Sequence, residues 1–111
     1  MRMWMVDPSI MCRKHLLGEH VELHMLVAHL KLGRRIDGYV KNNCTEPNSI
    51  ESRHRELEKE LLKRGYNHNS PLTQPVILNF QHPEAKVNVD SALIDLVSRC
   101  KECSQKGKLN V

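Results

Sequence analysis

A 111-residue chain is sized for one domain and can bury roughly 60–68% of its unfolded surface without metal or disulfide staples. With one Trp, one Phe and two Tyr against an apolar share of 40%, the core must come mainly from Leu, Val, Ile and Met, which favours packed helices over a sandwich. The formal net charge of +4 suits a polyanionic partner as well as it suits a merely basic domain; no apolar run approaches the roughly 18–20 residues of a membrane span, and no signal-peptide pattern opens the chain.

In chain order, Met1–Val6 (MRMWMV) is a short apolar lead with one Arg. Asp7-Pro8 predicts a helix start, with Asp as N-cap and Pro at the first helical position. The helical pattern runs from there to Leu32, with a break considered at Gly18, and Gly33 supplies the stop. Lys31, Arg34 and Arg35 crowd that end, where positive charge suits the helix dipole or a phosphate. Residues 36–48 carry Gly, Asn and Pro without a period and read as a loop. Asn48 followed by Glu51 resembles a capping box, and Ile50, Leu57 and Leu61 form the stripe of a second helix closed by Lys63-Arg64-Gly65. His54 lies on that stripe, as a packed residue before a ligand. VILNF (76–80) is weighed as a short strand without an evident partner. Asp90 is expected to cap a last helix through Cys103, with Ala92, Leu93, Leu96, Val97 and Cys100 inward, and 104–111 as a frayed tail. The expected fold is all-α: one compact domain, 1–111, of three main helices with long irregular connections.

The densest chemistry lies in HLLGEHVELH, residues 15–24, with three histidines and two glutamates. His20 and His24 stand at i, i+4 as in a zinc-protease helix, but Glu22 follows His20 by two places instead of one. At roughly 100° per residue it points to the opposite flank, where it cannot activate a water on those histidines. A third ligand would also have to come from elsewhere, so catalytic zinc is disfavoured. On the other flank His15, Glu19 and Glu22 follow i, i+4, i+7 along one face, beside the apolar stripe of Leu16, Leu23, Leu26 and Leu30. A carboxylate at such an edge is partly desolvated, the setting in which carboxyl groups serve proton transfer. Plain surface charge is the commoner meaning of such a pattern. The four cysteines, 12, 44, 100 and 103, read as reduced thiols. A single C-x-x-C at Cys100 and Cys103 without a second pair is a weak metal signal, and buried thiols are the plainer reading.

MRMW…CRKHLLGEHVELH, followed after a loop by RHRELEKELLKRGYNHNSPL, resembles the pyrimidine-dimer DNA glycosylases over residues 1–35 and 53–72. His15-Leu16, Glu19, Glu22-Leu23 and Lys63-Arg64-Gly65-aromatic-Asn67 follow that family's spacing. The resemblance implies a compact helical enzyme that removes the 5′ base of a cyclobutane dimer and cuts the strand by β-elimination, with no metal or other cofactor. It implies the N-terminal α-amine, here that of Met1, as nucleophile and Glu22 as the acid–base group, with Arg2, His15 and Glu19 near the scissile nucleotide. The partner is then double-stranded DNA, ultraviolet-damaged or abasic, met inside a prokaryotic or virus-infected cell by a monomer with no membrane contact. Arg13, Lys14, Lys31, Arg34, Arg35, Lys63 and Arg64 would join Arg2 in contacting phosphates. Three features depart from the phage member of the family. Met1 stands where that enzyme exposes a threonine, and Val21 stands where it carries an arginine. Its aromatic, basic tail also has no counterpart in CSQKGKLNV. These differences point to weaker dimer selectivity, or to another lesion or a bare abasic site as substrate.

The chemistry is reasonable on its own terms. An ordinary α-amine has a pKa of roughly 7.7–8.0 against about 10.4 for lysine, so far more of it is unprotonated at neutral pH. A carboxylate on a rigid helix can then take the proton that the resulting imine acidifies, once a flexible lead folds back to it. The competing readings are a basic helical DNA-binding module without catalysis and, more remotely, a small metal-dependent hydrolase.

Overall fold

A computed structural model describes residues 1–66, 71–72 and 81–109, with side chains to residue 106. Among them every regular element is helical: a 3-10 turn at Pro8–Ile10, α1 (Arg13–Lys31), α2 (Asp37–Lys41), a second 3-10 turn at Pro47–Ser49, α3 (Ile50–Lys63), α4 (Val89–Arg99) and α5 (Lys101–Leu109). The all-α expectation holds, and α1, α3 and α4 are its three main helices. No helix among the described residues is long and apolar enough to cross a membrane. The strand considered over 76–80, and Asn67, lie outside the described residues.

Asp7 caps as expected, its Oδ1 accepting the Ser9 N–H at 3.0 Å, but the helix it starts is only the 3-10 turn. Met11 and Cys12 are extended, with ψ of 139° and 163°, so the break in the long pattern falls there and not at Gly18. From Arg13 the helix is continuous for 19 residues, roughly 28 Å at 1.5 Å per residue. Gly33 stops it at φ 71°, a left-handed value that costs glycine little.

The buried stripes are those the periodicity predicts. Leu16, Leu23, Leu26 and Leu30 of α1 and Ile50, Leu57 and Leu61 of α3 are buried in one core where the two helices meet, each burial contributing about 1.5–3 kcal/mol. Several local expectations fail. Residues 37–41, assigned to a loop, form α2, whose preceding residue Ile36 is fully buried and anchors it. The capping box at Asn48 and Glu51 is absent, because Asn48 instead donates to the Pro83 carbonyl at 2.6 Å and Glu51 stays exposed. Asn88, not Asp90, caps α4, accepting the Ser91 N–H at 3.0 Å, and Leu93 faces solvent while Ala92 and Leu96 are buried. The last helix is also two helices: Cys100 is extended at φ −125°, ψ 113°, and residues 104–109, expected to fray, continue as α5 behind a buried Cys103.

Candidate active site

The N-terminal lead is packed and not free to swing. Met3, Trp4 and Val6 are buried. Met3 donates its N–H to the Cys44 carbonyl at 2.6 Å, and its Sδ accepts the Glu46 N–H at 3.4 Å. Met5 turns through a left-handed conformation at φ 60°, a strain of about 1 kcal/mol or more for a side chain without special compensation. The buried neighbours on either side hold it.

This path lays the first residues along α1. The Arg2 backbone N–H donates to Glu22 Oε2 at 3.0 Å, so the half-buried Glu22 carboxylate sits one peptide unit from Met1. Beside it opens a cavity of about 280 Å³ lined by Arg2, Trp4, Lys14, His15, Gly18, Glu19 and Glu22. The Arg2 guanidinium lies over the Trp4 ring at 3.8 Å and reaches Asp95 on α4 at 2.6 Å. Its Nε has no hydrogen-bond partner among the described residues; the aromatic face is its compensation. The bond from Arg2 holds the Asp95 carboxyl below its ordinary range of about 3.8.

Glu19, one turn back, serves differently. It is buried, and both oxygens are taken by Arg53 of α3, Nε to Oε2 at 2.6 Å and Nη2 to Oε1 at 3.0 Å. Arg53 also donates to the Val6 carbonyl at 2.7 Å and to Glu56 at 3.2 Å. The pair therefore clamps lead, α1 and α3, and Glu19 reaches the cavity wall with no free oxygen for a substrate. Arg53 was missed in the sequence, although its place three residues after Ile50 and four before Leu57 puts it on the buried stripe.

His15 is drawn into a different cluster. Its Nδ1 lies 3.2 Å from the Cys12 Sγ and 3.8 Å from the Cys103 Sγ, and its ring meets the Trp4 edge at 5.9 Å. Burial pushes the Cys103 thiol up to about 12. Burial also raises Cys100, but hydrogen bonds from the Cys103 backbone and side chain and from Cys12 outweigh it and leave that thiol lowered. On the opposite flank of α1, His20 and His24 meet His54 of α3, with ring centroids 4.7–5.2 Å apart. Glu22 is not among them, as its angular position on the helix predicts.

Of the basic residues, Arg13, Lys14, Lys31, Arg34, Arg35 and Lys63 are exposed. Arg13 stands over Tyr66 at 5.1 Å, and Arg35 pairs with Asp37 at 2.9 Å. Arg64 is instead structural: it donates to the Pro8 and Met11 carbonyls at 3.0 and 2.7 Å and pairs with Glu60 at 2.8 Å. It fastens the turn before α1 to the end of α3.

A helical scaffold that lays its first residues against a glutamate, with cationic ends to its long helix, suits an enzyme acting on nucleic acid. Residues 1–74 match the family model described as pyrimidine dimer DNA glycosylase, and the chain belongs to that family. Searches of curated proteins and of solved structures return no match.

Proposed function

We propose that the chain is a DNA glycosylase with abasic-site lyase activity, in which the Met1 α-amine is the nucleophile and Glu22 the acid–base group. The observation that carries this reading is the hydrogen bond from Arg2 N–H to Glu22 Oε2 at 3.0 Å, which keeps the carboxylate within reach of whatever is bonded to Met1. The neutral amine forms a bond to C1′ of the deoxyribose as the bond from C1′ to the base breaks. Opening of the sugar at O4′ then gives the imine, with the amine's protons passing to the departing base and to O4′. The imine acidifies C2′. Glu22 takes a C2′ proton, the electron pair moves into a C2′–C3′ double bond, and the 3′ phosphate leaves. This chemistry uses no metal.

Arg2 and Lys14, at the cavity rim, are suited to the phosphates flanking the opened nucleotide. Lys31, at the end of α1 and roughly 13 Å beyond Glu22 at 1.5 Å per residue, and Arg34 and Arg35 just past that end are suited to the backbone of the same duplex. Opening the pair costs least at a damaged step, which favours ultraviolet-damaged or abasic DNA as substrate. Val21 is exposed beside Glu22 and brings no charge to that rim, so selectivity for the dimer is modest.

Borohydride trapping on abasic duplex, followed by peptide mapping, tests the assignment. The adduct is expected on the peptide that starts at Met1. An adduct on Lys14 or Lys31 would overturn it, and no adduct alongside intact duplex binding would favour a binding module without catalysis.

A further inference from the structure

We propose that Cys12, His15, Cys100 and Cys103 bind one structural zinc ion that fastens the C-terminal helices to the start of α1. The four ligand atoms all lie within 4.8 Å of one another. Tetrahedral zinc with Zn–S of about 2.3 Å and Zn–N of about 2.0–2.1 Å sets ligand edges near 3.8 Å for S···S and near 3.6 Å for S···N. The Cys12 and Cys100 sulfurs are 3.8 Å apart, and His15 Nδ1 stands 3.2 and 3.8 Å from the Cys12 and Cys103 sulfurs. These three edges lie within about 0.4 Å of the tetrahedral values, and the other pairs need to close from no more than 4.8 Å. Three sulfurs and one nitrogen fill all four positions, the pattern of a structural site without an open position for substrate.

Two further observations point the same way. Backbone N–H groups are aimed at the sulfurs, Cys12 to Cys103 Sγ at 3.1 Å and Cys103 to Cys100 Sγ at 3.5 Å, as is suited to stabilising thiolates around a metal. The second is the break at Cys100. SRCKECSQ contains neither Gly nor Pro, yet Cys100 leaves the helix at φ −125°, ψ 113°. Cys12, just before α1, is also extended and makes no side-chain cap. Each break sets a cysteine beside the ligand three residues on, C-x-x-H at one end and C-x-x-C at the other. The isolated C-x-x-C of the sequence thus has its second pair 85 positions upstream, counted from His15 to Cys100.

The site joins the segment matching the family, residues 1–74, to helices outside it. It also bears on the cavity. Zinc on His15 Nδ1 fixes the remaining ring proton on Nε2, and the ring supports Trp4, on which Arg2 rests. That link rests on the proposed lyase site; the zinc itself does not.

Full-length protein purified without oxygen should carry one zinc per chain by elemental analysis. Cobalt replacement should give tetrahedral visible bands with thiolate-to-cobalt charge transfer in the near ultraviolet. Cys103→Ser should weaken zinc binding by more than the 10–100-fold that outer-shell changes cost, while His24→Gln leaves stoichiometry and spectrum unchanged. If Cys103→Ser does not fold, thiol titration of the unaltered protein decides. Slow, zinc-releasing reaction of three thiols with one fast thiol supports the site. Metal-free protein with four fast thiols, or with two thiols lost to a disulfide, overturns it. So does bound cobalt without charge transfer, which would put the metal on His20, His24 and His54.

Discussion

Two successive turns of α1 carry a glutamate each on one face, and the fold uses them in opposite ways. At Glu19 the helix meets α3, and the carboxylate is fully enclosed and bidentate on Arg53. At Glu22 the helix meets the N-terminal lead, and the carboxylate is half-buried at a cavity, with one oxygen accepting a single backbone N–H. An ionised group that is desolvated and paired holds structure together; the same group left beside an opening keeps a lone pair for chemistry. The neighbour decides the role, since residue type and helix face are shared.

The sharpest way to break this comparison is to remove the inner charge. Glu19→Gln takes the bidentate counter-ion from the enclosed Arg53 guanidinium and leaves it only the exposed Glu56 at 3.2 Å; loss of one partner of a buried pair costs about 3–5 kcal/mol. Denaturant unfolding should show a loss of that order, with cleavage per folded molecule largely kept. Replacing both partners, Glu19→Leu with Arg53→Met, should recover much of the stability, because no charge is then stranded. Unfolding of Glu19→Gln within about 1 kcal/mol of the parent would show that water reaches the pair and that the two turns differ less than their burial implies.

Glu22→Gln should do the reverse. The amide is nearly isosteric and can still accept the Arg2 N–H, so unfolding and duplex binding should stay near those of the parent. Strand cleavage should fall 10²-fold or more, about 2.7 kcal/mol of barrier, since an amide cannot take the C2′ proton. Cleavage within about threefold of the parent would reduce Glu22 to a surface charge.

The sequence makes much of this legible and stops at a physical limit. Periodicity finds the apolar faces of α1 and α3, and the glycines at 33 and 65 mark their ends, because these signals are local. Family spacing picks out Glu22. What periodicity cannot show is which neighbour a polar residue on that face will meet. Glu19 and Glu22 read alike until Arg53 is known to project from α3. Nothing local joins Cys12 and His15 to Cys100 and Cys103, which the fold brings beside them from 88 positions away. Pro8 and Asp7 mark a start correctly, yet the turn they begin ends at Met11, where Arg64 binds the carbonyls from another helix. The division of the basic residues is hidden for the same reason: Arg64 reads as a phosphate contact and serves as a clamp.

The exposed segment just past α1 extends the comparison to charges at the surface. Arg34→Ala with Arg35→Ala should weaken binding to damaged and plain duplex alike, by about tenfold near 0.1 M salt, and flatten the salt dependence by about one to two units in log–log slope. Arg35 gives up only an exposed pair with Asp37, so unfolding should barely move. Loss of affinity for damaged duplex alone would mean that these arginines read the lesion and that recognition is not confined to the cavity.

The smallest effect belongs to Asp95, which holds Arg2 from the far side of the cavity. Its carboxyl is kept below the ordinary value of 3.8, chiefly by the Arg2 hydrogen bond, with Arg99 also attracting it. A carboxyl with a depressed folded-state pKa contributes stability that is complete above its unfolded value and is lost as pH falls through the folded one. Asp95→Asn removes that contribution. The melting temperatures of variant and parent should therefore differ slightly at neutral pH and converge as the solution is taken below pH 3.8. Cleavage at neutral pH should change by no more than about threefold, because the pair is partly exposed and Trp4 still supports the guanidinium. A gap that widens in acid would reverse the sign and show that Asp95 is stabilised in its protonated form. A large loss of cleavage with unchanged stability would instead extend the Glu22 side of the comparison across the cavity to α4, making the position of Arg2 as important to the reaction as the carboxylate it touches.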